Sequence, residues 1–472
     1  MRRRWTPCLR CVLLFTAALS ASYFASTISA ADASPSIGLE VPGLAALNVG
    51  QSAFVGSISC SSPGNCAAGG SFSIMSSQVV SPRAYVVNEV SGHWTNAIAV
   101  PGISSLDTGH NSSVVSISCA SPGNCSAGGN FTNKKGSQAF VVNERNGKWT
   151  NALKLSGPDA FEIGGTTVSS VSCASPGNCS AGGFYGAGLR SRAFVVNEIA
   201  GRWLKATDVP GVDALDTGQN SSVASVSCAS PGNCSAGGHF TNAKGSQAFV
   251  ANERNGTWAT ALHLSGPIAF DAGGSNVASL SCASPGNCSA GGSIERAKHS
   301  EAFVANERNG TWGIAIKVPG TANLGARAGA TVSSISCASS GNCAAGGQVS
   351  IGERFTAFVD DEVGGRWKTI KEIPGLAALP LRWVSTVSSI SCASSGNCAA
   401  GGYDGGRQGS SQAFMVNETD GIWREVVTIS VPSSGGASKE SSVNAVSCAT
   451  PNRCNGGGTY LTRTASQAFV TP

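Results

Sequence analysis

Apolar and small polar positions alternate in short runs along this chain, and the runs are separated by turn residues. Val168 to Cys173, rich in Val and Ser and without a helical period, predicts a strand. Ser175-Pro176-Gly177-Asn178 is a turn cluster, and Cys179 to Gly183 predicts a second strand made of very small residues. A variable loop leads to a third strand, Ala193-Phe194-Val195-Val196-Asn197. Ala200-Gly201 turns the chain, and Trp203 to Val209 predicts a fourth strand that ends at Pro210-Gly211. Four antiparallel strands joined in this way form a meander that cannot bury a face alone, so copies must pack face to face.

The same phrase recurs eight times, with first cysteines at Cys60, Cys119, Cys173, Cys228, Cys282, Cys337, Cys392 and Cys448. The period of roughly 55 residues marks one supersecondary unit stacked many times. The chain ends decide between a solenoid and a ring of blades. The last copy stops at Gln467-Ala468-Phe469-Val470, its third strand. The segment Leu39 to Leu47 nearly repeats Lys371 to Leu379, a fourth strand with its exit loop. A permutation of this kind zips the ends of a ring together. The expected fold is therefore all-β: an eight-bladed β-propeller of four-stranded antiparallel blades, closed by an N-terminal strand that completes the last blade.

Within each blade, Ala-Gly-Gly on the second strand permits close approach. Phe140, Phe194, Phe249 and the series Trp94, Trp149, Trp203, Trp258, Trp312, Trp367 and Trp423 read as inter-blade core. Copies two and four are close twins, as are three and five, which suggests a duplicated two-blade unit.

Charged residues make up 12% of the 472, and a net charge of +5 gives no case for nucleic acid. Arg2, Arg3 and Arg4, an apolar run from Cys11 to Phe24, and Ser29-Ala30-Ala31 have the form of a secretory signal peptide. The expected organisation is thus residues 1–33 as signal and 34–472 as a single propeller, secreted or held in the cell envelope, with no membrane association after cleavage and a monomeric state. Of 18 cysteines, Cys8 and Cys11 fall in the signal. The other sixteen form C-x5-C pairs: Cys60/Cys66, Cys119/Cys125, Cys173/Cys179, Cys228/Cys234, Cys282/Cys288, Cys337/Cys343, Cys392/Cys398 and Cys448/Cys454. In an exported chain this spacing predicts disulfides rather than zinc. Each closes a very short loop, so its entropic contribution sits at the low end, about 2 kcal/mol, and its role is to pin a hairpin in register.

Gly401-Gly402-Tyr403-Asp404, then Val416-Asn417-Glu418 and Trp423, follow the order of the kelch class of propeller repeats, which this chain resembles. The Asn-Glu-x-x-Gly-x-Trp hairpin is also similar to the Asp-box of sialidase-like propellers, although its spacing departs by one residue and the Ser-x-Asp core is absent. With its paired cysteines, the full phrase is similar to repeats in secreted bacterial proteins. The resemblance implies the propeller and leaves function open.

Chemistry is harder to find. A sialidase-like site needs converging arginines and a tyrosine activated by a carboxylate, and no blade stands out in that way. Glu89, Glu144, Glu198, Glu253, Glu307, Glu362 and Glu418 share one hairpin position and read as turn structure rather than a catalytic pair. The five histidines lack ligand spacing, and Gly-Gly precedes no helix, so neither a metal, a phosphate cradle nor any other cofactor is expected. Binding fits better. The one-to-two and three-to-four turns are nearly invariant, whereas the two-to-three and blade-to-blade loops vary, and in a meander both variable sets emerge on one face. Candidate ligand contacts there are Lys134, Lys135, Arg190, Arg192, Lys244, Arg296, Lys298, Arg354, Asp404 and Arg407, with Asp107, Asp159, Glu162, Asp213, Asp216 and Asp271 in the blade-to-blade loops. The expected function is a binding scaffold for a protein or glycan partner. The alternative is a carbohydrate-active enzyme or lectin. An enzyme should show one blade with a deep polar pocket and a perturbed carboxylate, and a lectin should show equivalent pockets between several blades.

Overall fold

A computed structural model describes residues 36–472, except 77–78, 163–164, 188–189, 267–273, 297–298, 322–328, 382, 408 and 433–439. The expected signal segment lies outside the described residues. The chain is almost entirely β, built from repeated antiparallel meanders. In the third repeat, Thr167–Ser175 pairs with Asn178–Ala187, which pairs with Arg190–Ile199.

All sixteen cysteines of the repeats are joined within their own copy, as expected: Cys60–Cys66, Cys119–Cys125, Cys173–Cys179, Cys228–Cys234, Cys282–Cys288, Cys337–Cys343, Cys392–Cys398 and Cys448–Cys454. Each pair sits directly opposite in the register of the first and second strands, as Cys173 does with Cys179. Such bonds form and persist in an oxidising compartment. Each bridge joins the two strands of one hairpin, and the second cysteines also belong to the packing between repeats. Cys66, Cys125, Cys179, Cys234, Cys288, Cys343 and Cys398 are buried, and Cys125 and Cys398 lie in clusters that combine two repeats. Cys454, flanked by Arg453 and Asn455, is only half-buried. A neighbouring serine touches some of these sulfurs: Ser289 Oγ of the preceding repeat lies 3.3 Å from Cys343 Sγ, and Ser126 Oγ lies 3.3 Å from Cys179 Sγ. Cys398 and Cys454 follow repeats that carry Ala344 and Ala399 at the serine position, and Asn455 holds that position ahead of Cys66. The Asn455 side-chain Oδ1 lies 3.6 Å from Cys60 Sγ, so the contact at that junction goes to the other sulfur of the Cys60–Cys66 bridge.

The fourth strand differs from expectation. It is broken into two short pieces, Arg202–Trp203 and Thr207–Asp208. Between them the Ala206 N–H turns away from its own sheet and donates to the Ser156 carbonyl in the exit loop of the preceding repeat, at 2.8 Å. The same tie recurs from Ala152 to Pro101, Ala261 to Pro210, Ala315 to Ser265, Ile370 to Pro319 and Val426 to Pro374. A bulge therefore sacrifices one ladder bond to link neighbouring repeats. The exit loops also hold one-turn helices, such as Ile103–Leu106 and Val212–Leu215, each entered through a glycine with positive φ.

The two glycines of Ala-Gly-Gly serve different contacts. A Cβ on Gly128 would come within 2.6 Å of Val168 in the next repeat, so this glycine lets two sheets approach. A Cβ on Gly129 would meet the Ser113 carbonyl of its own sheet at 1.9 Å, where the first strand shifts register. The core lies between sheets. Ala84 and Val86 pack with Val114, Phe131 and Phe140 of the following repeat. Val55 and Tyr85 pack with Ala468 and Val470 at the other end of the chain.

Serines link the first strands. The Ile117 and Cys119 N–H groups donate to Ser57 Oγ and Ser59 Oγ at 3.0 and 2.9 Å, and the pattern repeats along the array. Cys60 N–H donates to Ser447 Oγ at 2.9 Å, across 387 positions of sequence. Leu39 and Glu40 pair with Val470 and Phe469, in the register that joins Lys371 and Glu372 to Val359 and Phe358.

Candidate functional site

On the near-invariant side of the repeats, opposite the variable loops, a cleft opens between adjacent sheets at five successive junctions, from the second–third to the sixth–seventh. Four of the clefts hold about 230 to 350 Å³. The fifth, between the sixth and seventh repeats, holds about 670 Å³. Disulfides form part of the walls: Cys343 and Cys398 both line this larger cleft.

The repeated glutamates define these clefts, which corrects their reading as turn structure. Register places Glu198 opposite Trp203 in the third–fourth strand hairpin. Asn143 of the preceding repeat inserts between the two side chains. Its amide donates to Glu198 Oε1 at 2.5 Å, and its carbonyl oxygen accepts from Trp203 Nε1 at 3.0 Å. Ser126 Oγ also donates to Asn143, at 2.9 Å. The same staple joins Asn88 to Glu144 and Trp149, Asn197 to Glu253 and Trp258, Asn252 to Glu307 and Trp312, and Asn306 to Glu362 and Trp367. These tryptophans are thus packing residues, as expected, that also carry a specific hydrogen bond between repeats; the Trp94 indole N–H, at the junction with the last repeat, has no such partner. At three junctions an arginine closes the cleft. Arg145, Arg254 and Arg308 donate to the Gly201, Gly310 and Gly365 carbonyls of the next repeat and lie within 4.0 Å of Glu198, Glu307 and Glu362.

Burial raises every one of these carboxyls above the ordinary carboxylate range, against the pull of the asparagine amides. Glu144 is pushed up to about 6. At the Glu89 position the donor is Asn455, at 3.4 Å.

The sixth repeat departs from the pattern. Asp360 and Asp361 replace the usual Val-Asn, Val363 stands where three repeats have arginine, and Lys371 stands where the others have an uncharged residue. Trp423 Nε1 still donates to Asp361, at 3.1 Å, and Lys371 Nζ pairs with Asp361 Oδ2 at 2.7 Å. Asp361 has no amide to offer Glu418. Burial and then the Asp361 charge push Glu418 up to about 7, opposed by Lys371. Asp360 is fully buried. Its Oδ2 has no hydrogen-bond partner, and burial pushes the group up to about 8 despite the Asp361 N–H on Oδ1.

The predicted contact residues are distributed differently. Lys134, Lys135, Arg190, Lys244, Arg354 and Arg407 are exposed at or beside the turns between second and third strands. Arg192 is engaged by Asp208 and Asp213, at 3.6 and 3.3 Å. Arg296 pairs with Glu301 at 3.1 Å. The Arg407 guanidinium sits 3.9 Å above the Trp383 ring and 3.9 Å from Glu353 of the sixth repeat. Lys298 lies outside the described residues. Asp404 is not on a loop: it belongs to the strand Asn397–Gly405 and is 1% exposed. Asp107 and Asp216 are buried too. Asp107 Oδ1 accepts the Asn111 and Thr132 N–H groups, and Asp216 repeats this with Asn220 and Thr241, tying exit loop to hairpin. Asp159 is exposed. Asp271 and the Glu162 side chain lie outside the description.

Tyr185, whose hydroxyl donates to Asp208, is pushed up to about 12 by burial first and by Asp208 second. That phenol keeps its proton, the opposite of an activated nucleophile. No cluster of metal-ligating side chains occurs among the described residues, and no helix among them is long and apolar enough to cross a membrane.

No protein-family model matches the chain, and no curated protein does. Solved structures do. Sqt1 from Chaetomium thermophilum is 10% identical, with a TM-score of 0.51 over 93% of this chain and 97% of that one. The same protein bound to the N-terminus of the ribosomal protein L10 is 11% identical, with a TM-score of 0.50 over 89% and 96%. Both are β-propellers, and the likeness shows that fold for this chain.

Proposed function

We propose that this protein is an extracytoplasmic binding scaffold: a closed, eight-bladed, kelch-like propeller, exported by its N-terminal segment, that presents its variable loop face to a protein or anionic glycan partner. The observation that carries this reading is the contrast between the two sides of the repeat. The invariant side is occupied by asparagine, glutamate and tryptophan groups that bond to each other, whereas exposed cations of differing identity decorate the other side. Closure is supported by the pairing of Leu39 and Glu40 with the final strand and by the Cys60–Ser447 bond. Export is supported by the eight disulfides. A protein partner gains support from the Sqt1 complex, in which a propeller holds the N-terminus of another protein. A glycan array probed with the oxidised mature protein tests the reading. Retention on acidic glycans is expected, with at least a tenfold loss for the combined variant Lys134→Glu, Arg190→Glu, Lys244→Glu, Arg354→Glu. If the array stays blank and a pull-down with the same four-residue variant recovers the same partners as the native chain, the loop face is not the binding surface.

A second reading, a lectin, is favoured by the recurrence of the cleft at five junctions, the arrangement expected of equivalent glycan pockets between several blades. At four of the five the repeated glutamate receives an asparagine amide across the junction, which leaves the sixth–seventh cleft as the place where such chemistry would act.

A further inference from the structure

We infer that the cleft between the sixth and seventh repeats is a binding site for a small organic ammonium ion, seated against Glu418. The inference is independent of the loop-face reading, because the cleft lies on the other side of the repeats.

Each repeated glutamate that is described receives an asparagine amide from outside its own repeat, except Glu418. At its junction Asp361 holds the asparagine position and Val363 the arginine position, so the neutral donor of the other junctions and the cation that three of them carry are both gone. Glu418 is 3% exposed and lines the cleft, and the residue opposite it, Asp361, offers a carboxylate where the other junctions offer an amide. A partner that brought an N–H to this carboxyl would replace the amide that the neighbouring junction supplies from Asn306. Space for a partner exists. The cleft is about twice the volume of the larger of the other four and falls within the size range of small-ligand pockets.

The charges around Glu418 favour a cation. Asp361, Glu362 and Asp420 line the cleft with it, against Lys368 and Lys371. Lys371 pairs directly with Asp361 at 2.7 Å and acts on Glu418 only at longer range, so Glu418 has no ion pair of its own. An ammonium placed there would sit where Arg308 approaches Glu362 one junction earlier, at 3.6 Å. Its N–H groups would supply the missing donor, and the Ser394, Ser395 and Thr369 hydroxyls on the cleft wall would meet polar substituents on the ligand.

Isothermal titration of the oxidised protein tests this with two ammonium probes, glucosamine and cyclohexylamine, and two uncharged controls, glucose and N-acetylglucosamine. Both amines are expected to bind with unit stoichiometry and the controls not to bind. Tighter glucosamine binding would assign the site to amino sugars, and equal binding to amines at large. Affinity should fall at least tenfold from pH 8 to pH 5.5 as Glu418 takes up its proton. Asp361→Asn restores the donor and should reduce affinity at least tenfold while raising the thermal midpoint, a combination that a folding defect cannot produce. Val363→Arg, which rebuilds the closing arginine, should do the same to binding. Failure of both amines to bind, equal binding of N-acetylglucosamine, or unchanged affinity in Asp361→Asn would overturn the inference.

Discussion

The fifth–sixth and sixth–seventh junctions are built from the same strands in the same register, yet their electrostatics are opposed. At the first, Asn306 donates to Glu362 and accepts from Trp367, and Arg308 spans the gap to Gly365. At the second, Asp361 still accepts from Trp423, but its charge repels Glu418, and a lysine has entered to neutralise it. An amide exchanged for a carboxylate, together with the loss of the arginine at Val363, accompanies a wider and more charged cleft. In a repeat protein the shared positions report packing. A concerted departure at Asp360, Asp361, Val363 and Lys371 within one repeat is where a specific role would be written.

The largest effect is expected from breaking the intact junction. Asn306→Ala leaves the buried Glu362 with fewer donors and the Trp367 indole without an acceptor, a loss of about 3 kcal/mol that a shift of the urea midpoint would show. Next, Asp360→Val restores the repeat's own residue and should stabilise by about 2 kcal/mol at pH 8. The sign follows from linkage. Asp360 is raised to about 8 in the folded chain, so its protonated form favours folding and stability is lost as pH rises from the unfolded value through 8. The gain from Asp360→Val should therefore shrink toward pH 4. Asp361→Asn should add about 1 kcal/mol by closing the sixth–seventh staple. It should also lower Glu418 from about 7 by removing the Asp361 charge, which flattens the fall in thermal midpoint between pH 5 and pH 8. The smallest effect belongs to Arg308→Ala. That guanidinium is mostly exposed, and its loss should cost only about 0.5 kcal/mol, while widening the fifth–sixth cleft. If Asn306→Ala and Arg308→Ala had equal effects, the buried amide would not be the element that separates the two junctions.

Much of the architecture was legible along the chain because it is local. Hairpin register, the paired cysteines and the turn glycines involve residues a few positions apart, and the likeness of Leu39 to Leu47 with Lys371 to Leu379 anticipated the pairing of the N-terminal strand with Val470. The staple was not legible. Asn143 meets Glu198 and Trp203 at separations of 55 and 60 residues, and within one repeat the motif looks like an ordinary polar hairpin. The cysteines show both sides of this. Cys337 and Cys343 could be paired from their spacing, but the contact of Cys343 with Ser289 of the preceding repeat spans 54 positions. The serines of the first strand were likewise read as alternation, while each binds an N–H of the neighbouring repeat. Asp404, Asp107 and Asp216 illustrate the converse: acidic residues near variable loops that turn inward to strand and loop amides or are buried in a sheet.

The amino-acid sequence by itself determined the repeat, its strands, its disulfides and the location of its variable segments, since each depends on neighbours in the chain. Only the tertiary structure decided which side of the repeat is saturated with internal hydrogen bonds and which glutamate lacks the asparagine amide. That distinction arises between sheets, where the partners of the repeated glutamates and tryptophans come from the adjacent copy, and where a few substitutions in one repeat change what the space between them can hold.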